Sequence, residues 1–127
     1  MRRVVLDLQY GMFAQAISQA LEGSEPDFLV LQSEHPKDTV ALCRSSHAYA
    51  VILEVTGCSP WKLEERLQLR ETLRTRVPDC KTVLLVDEYA NPALAAAVRQ
   101  AKKDGLVDNF IYGSVSPTYL MAVLDTL

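Results

Sequence analysis

Three carboxylates carry most of the chemical capacity of this 127-residue chain. Asp7, Glu54 and Asp87 follow the short apolar runs Val4 to Leu6, Ala48 to Leu53 and Val83 to Val86, and Glu88 comes directly after Asp87. Carboxylates that end neighbouring strands can share a hard cation such as Mg²⁺ or Ca²⁺, whose charge offsets their repulsion. Without a cation they turn to water and cap nearby loops, which is the commoner outcome, so neither a metal nor a cofactor is assigned. Cys58 lies where an activated thiolate could stand, yet no histidine is placed to act as its base. Cys43, Cys58 and Cys80 are odd in number and have no metal-type spacing, so reduced core thiols are expected.

The elements that must position these groups are legible in the punctuation. Five apolar runs recur, adding Phe28 to Leu31 and Phe110 to Tyr112 to the three above, and their continuous Val, Ile and Leu content suits parallel strands covered on both faces. The intervening segments predict helices near 11–22, 36–45, 60–77, 92–104 and 117–127. Pro36, Pro60, Pro92 and Pro117 are read at first helical positions, three of them behind a Ser or Asn cap. Pro26 falls in the connection before the second strand, and Gly23 and Gly105 suit left-handed helix ends. Gly11, Gly57 and Gly113 follow strands, where tight turns need backbone freedom. The expected architecture is one α/β domain over residues 1–127, a flavodoxin-like (βα)5 doubly wound parallel sheet in strand order 2-1-3-4-5. In that order Asp7, Glu54 and Asp87 converge at the carboxyl edge of the sheet.

Composition narrows the function. Hydrophobic residues at 49% and charged residues at 23% fit a folded globular chain rather than a disordered one. A net charge of −3 gives no global attraction for nucleic acid, so direct nucleic-acid binding is not expected. No apolar run approaches the roughly 18 residues that span a bilayer, and no secretory leader follows Arg2-Arg3, so a cytoplasmic protein without membrane contact is expected.

Order, length and punctuation resemble the receiver domain of two-component response regulators. The stretch Gly105-Leu106-Val107-Asp108-Asn109-Phe110-Ile111-Tyr112-Gly113-Ser114, followed by Ser116-Pro117-Thr118-Tyr119-Leu120, carries the most specific likeness. The resemblance implies two adjacent acids after the first strand that hold Mg²⁺, a phosphoacceptor Asp ending the third strand, Ser or Thr at the fourth exit and Lys at the fifth. Here Asp7 matches one acid and Leu8 replaces the other, Glu54 is the phosphoacceptor equivalent, Asp87 and Glu88 occupy the fourth exit, and Gly113 stands at the sensing position. Phosphoryl transfer depends on positive charge around the phosphate oxygens, which this set lacks. The implied protein is a pseudo-receiver, not an enzyme, in which Glu54 either has lost its chemistry or imitates a phosphorylated aspartate.

Two surfaces suggest partners. Lys62, Arg66, Arg70 and Arg74, four apart, predict a solvated basic stripe on the third helix. Ala93, Ala95, Ala96 and Ala97 on the fourth helix exceed what one buried stripe uses. With Arg99, Tyr112, Val115, Tyr119 and Ala122 they outline a homodimer face. The expected function is therefore a noncatalytic signalling module that contacts a protein partner or itself, as the N-terminal part of a transcriptional regulator with an output domain linked beyond residue 127. The alternative is a flavodoxin-like nucleotide- or flavin-binding protein or small enzyme. Its first loop, Leu8-Gln9-Tyr10-Gly11-Met12, has one glycine and no hydroxyl to wrap a phosphate.

Overall fold

The computed structural model describes residues 1–23 and 28–127. Its elements are β1 (Arg2–Asp7), α1 (Gly11–Gly23), β2 (Phe28–Gln32), a 3₁₀ turn (Pro36–Asp38), α2 (Thr39–Ser46), β3 (Ala50–Val55), α3 (Leu63–Arg76), β4 (Lys81–Val86), α4 (Pro92–Lys103), β5 (Asn109–Tyr112) and α5 (Pro117–Asp125). The five strands are parallel, in the order β2-β1-β3-β4-β5. The strand ends and loops that carry Asp7, Glu54, Asp87, Glu88 and Gly113 therefore lie along one edge, as the strand order predicts.

Alternation along the strands divides the core in two. Val4, Leu6, Ile52, Leu85 and Ile111 face α1 and α5, meeting Ile17, Leu21, Leu120 and Leu124. Val5, Leu53, Val55, Leu84 and Val86 face α2, α3 and α4, meeting Cys43, Leu73, Ala95 and Val98. Strands buried on both faces explain why their sequences read as unbroken apolar runs.

The caps of the last two helices follow expectation. Asn91 accepts a hydrogen bond from the Leu94 N–H at 3.1 Å, and Ser116 from the Tyr119 N–H at 3.2 Å, each ahead of a proline. Gly105, at φ 76°, ends α4 in the left-handed region. Pro60 does not open α3. The helix starts at Leu63, and Ser59 donates to Glu65 at 2.9 Å instead of capping. Gly11 and Gly57 have neither a positive φ nor a neighbour that a side chain would strike, so the turns there do not require glycine. The turn expected after Gly23 and the connection containing Pro26 lie outside the described residues.

Among the described residues no helix is long and apolar enough to cross a membrane. Cys43 and Cys80 are buried, and contact with Cys80 together with burial pushes the Cys43 thiol up. Cys58 is exposed, which corrects the expectation of three core thiols. It sits in a polar turn after β3 rather than beneath a helix.

Candidate functional site at the strand exits

Asp7 ends β1 and is 1% exposed. Its partner is Arg66 of α3, also 1% exposed, which corrects the expectation that this residue belongs to a solvated stripe. The Arg66 guanidinium donates from Nη1 to Asp7 Oδ2 at 2.7 Å and from Nη2 to Asp7 Oδ1 at 3.1 Å. Nη2 also reaches the Asp7 carbonyl at 2.9 Å, and Nε reaches the Glu54 carbonyl at 2.7 Å. This paired geometry is the one arginine's planar fork favours with a carboxylate, and the two carbonyls satisfy further donors. The Thr39 hydroxyl donates to Asp7 Oδ2 at 2.7 Å and lies 2.8 Å from the Ser33 hydroxyl, so α2 and the loop after β2 close over the same group.

Arg66 is the functional residue that sequence reasoning missed. It lies three residues after Leu63 and seven before Leu73, on the helix side that turns to the core, and this spacing was the available signal. The rest of the predicted stripe divides. Arg70 approaches Asp108 at 3.9 Å from a partly buried position, and Arg74 meets Glu71 at 3.4 Å in solvent.

Asp7 does not join the other two acids, which corrects the expectation that all three converge, whereas Glu54 and Asp87 line one cleft. Asp7 pairs in register with Leu53, so Glu54, one residue on, points toward the α1 and α5 side while Asp7 points toward α2 and α3. Glu54 is 2% exposed, and its Oε1 accepts the Tyr10 N–H at 3.0 Å. Burial raises its pKa above the ordinary glutamate value, opposed by the Tyr10 and Gln9 amides and by Arg66, with Asp87 adding a lesser upward push. Asp87 instead caps its own loop, accepting from the Tyr89 and Ala90 N–H groups at 3.1 Å each. Glu88 accepts from the Ser114 hydroxyl at 2.7 Å, tying the loops after β4 and β5 together. Among the described residues no three His, Cys, Asp or Glu side chains come together as a metal ligand set.

The fifth exit is closed from above. A Cβ on Gly113 would lie 3.0 Å from Phe13 Cζ, so the phenyl ring of α1 occupies the space that a longer side chain there would need. Leu8 packs against the core on the same side of the sheet as that ring. Between the loops remains a cleft of about 280 Å³ whose lining includes Tyr10, Glu54, Cys58, Asp87 and Asn91 and no basic side chain.

The expected dimer face is only partly on the surface. Ala95 is 1% exposed and packs in the core with Val98, so it leaves that face. Tyr119 is 56% exposed, Ala122 and Arg99 are exposed, and Val115 and Tyr112 are half-buried. Arg99 donates to the Tyr112 hydroxyl at 2.9 Å.

No family model and no curated protein matches the sequence. The architecture, in contrast, is that of response regulator receiver domains. A response regulator from Thermotoga maritima superposes with a TM-score of 0.76 at 20% identity, over 99% of this chain and 96% of its own. A LuxR family DNA-binding response regulator from Staphylococcus aureus gives 0.68 at 17% identity, over 99% and 98%. A response regulator from Burkholderia pseudomallei, described with a phosphorylated aspartic acid and a calcium ion, gives 0.71 at 21% identity, over 98% of this chain and 66% of its own. This chain has the receiver fold.

The residues present do not fit the divalent cation that receiver chemistry uses. Both Asp7 oxygens are taken by the guanidinium, the residue after it is the apolar Leu8, and Asp87 is committed to its loop.

Proposed function

We propose that this chain is a noncatalytic, receiver-like regulatory module that works through protein contacts and is not phosphorylated at Glu54. The observation that carries this reading is the buried Asp7–Arg66 pair. A phosphoryl group on Glu54 would need positive charge aimed at its three oxygens. The nearest guanidinium spends its Nη groups on Asp7 and its Nε on a carbonyl, and Gly113 beneath Phe13 supplies no cation. Arg66 thus provides internally, and permanently, the charge that a bound cation would provide transiently.

Self-association through α4, β5 and α5 belongs to this reading, anchored on exposed Tyr119 and on the outward alanines Ala93, Ala96 and Ala97, with Ala95 excluded. A transcriptional output domain joined beyond residue 127 also belongs to it, and the likeness to the Staphylococcus aureus DNA-binding regulator supports that arrangement. The nucleotide- or flavin-binding alternative is disfavoured by the acidic lining of the strand-exit cleft, which repels phosphate.

Intact-mass spectrometry after incubation with acetyl phosphate and Mg²⁺ tests the reading. The expected result is an unchanged mass. A phosphate-sized gain that disappears in Glu54→Gln overturns it.

A further inference from the structure

At the opposite end of α2 and α3 the charge reverses. Arg44 and His47, at the end of α2, and Arg76, at the end of α3, together line two clefts of about 550 and 340 Å³, and Lys37 lines the larger one. Arg2, Arg66, Arg70 and Arg74 all have carboxylate partners. Among the described residues no carboxylate stands within ion-pair distance of Lys37, Arg44 or Arg76, and Asp79 borders only the smaller cleft. Cations gathered without counter-charge repel one another, so the arrangement costs energy that a bound anion recovers.

The lining has the chemistry of an anion receptor. Lysine and arginine side chains offer donors only, and the guanidinium fork matches phosphate oxygens in pairs. Val40 and Ala41 give the larger cleft an apolar wall, and Val77 and Pro78 do the same for the smaller. His47 is the one non-glycine residue with a positive φ among the described residues, at 53°, and it occupies the helix end where glycine is usual. Holding an imidazole there against the backbone preference places a ring in both clefts. Each cleft falls within the range of small-molecule sites, about 300–1,000 Å³. The net charge of −3 over the whole chain opposes a long polyanion but not a compact one.

We infer that this groove binds a small phosphate-bearing molecule, with Arg44 and Arg76 on the phosphate oxygens, His47 as a further donor and Lys37 at the open end. The site shares no residue with the cleft that holds Glu54 and Asp87 and does not depend on the function proposed for it.

Titration calorimetry of the full chain with pyrophosphate and with ATP, at fixed ionic strength, tests the inference, with duplex DNA as a parallel titrant. Saturable binding at one site is expected. Arg44→Gln and Arg76→Gln should each weaken it about tenfold, the loss of one charge-assisted contact, while Lys103→Gln, outside the groove, leaves it unchanged. The replaced side chains are exposed, and circular dichroism verifies that the variants fold. Absence of saturation by about 10 mM overturns the inference. Equal weakening by Lys103→Gln, or DNA bound more tightly than either phosphate compound, overturns it too.

Discussion

Replacing Arg66 with methionine keeps an unbranched apolar stem in the core and removes the guanidinium. Four hydrogen bonds go with it, at 2.7, 3.1, 2.9 and 2.7 Å, and Asp7 is left buried without its cation. Removing one member of a buried ion pair costs about 3–5 kcal/mol, because the remaining charge stays desolvated. Against a total stability of about 5–15 kcal/mol that is a large share. At this chain length, where one kcal/mol moves the midpoint by about 3–5 °C, melting should fall by about 10–20 °C.

Trp61, the chain's one tryptophan, reports urea unfolding by fluorescence. Asp7→Asn in the Arg66→Met background removes the stranded charge and should recover part of the loss, as a coupled pair requires. A loss below about 1 kcal/mol at neutral pH, within the range of exposed pairs, refutes the reasoning. So does an equal loss whether position 7 is Asp or Asn.

Three further outcomes are expected. Burial raises the folded pKa of Glu54, so this group favours folding at low pH and opposes it once pH exceeds that pKa; Glu54→Gln, which keeps an acceptor for the Tyr10 N–H, should stabilise the protein at neutral pH and lose that advantage in acid, as urea titrations at both pH values would record. Gly113→Ala should cost about 1 kcal/mol by pressing on the Phe13 ring, and much less in a Phe13→Ala background; additive effects in that double-mutant cycle would show that the contact is not the cause. Light scattering should find a dimer that Tyr119→Glu splits by placing an unpaired charge in the contact; a wild-type monomer at high micromolar concentration removes α4, β5 and α5 as the self-association face.

The five strands, their order and the caps at Asn91 and Ser116 were legible in the sequence because each depends on neighbours within a few residues or on a repeating burial pattern. A strand covered on both faces must be apolar throughout, and a proline behind a cap marks a helix start almost by itself. Local signals failed where a local alternative existed, as at Ser59, whose side chain found Glu65 while α3 began at Leu63. The residue types at positions 8, 54, 87 and 113 were also visible, since they stand at strand ends whatever the packing.

What those residues do was decided by the tertiary structure. Register pairs Asp7 with Leu53, and a side-chain period of two then sends Glu54 to the opposite face of the sheet. Asp7 meets Arg66 across 59 residues of sequence, a distance over which no periodicity carries information. Ala95 turned inward because the helix as a whole rotates to bury Val98, and Gly113 is covered by a ring from α1 at the other end of the chain. Sequence assigns charges to positions along a strand or helix. Only the packing of those elements determines which charges meet, and in this protein it brings a buried arginine to Asp7, not a second carboxylate.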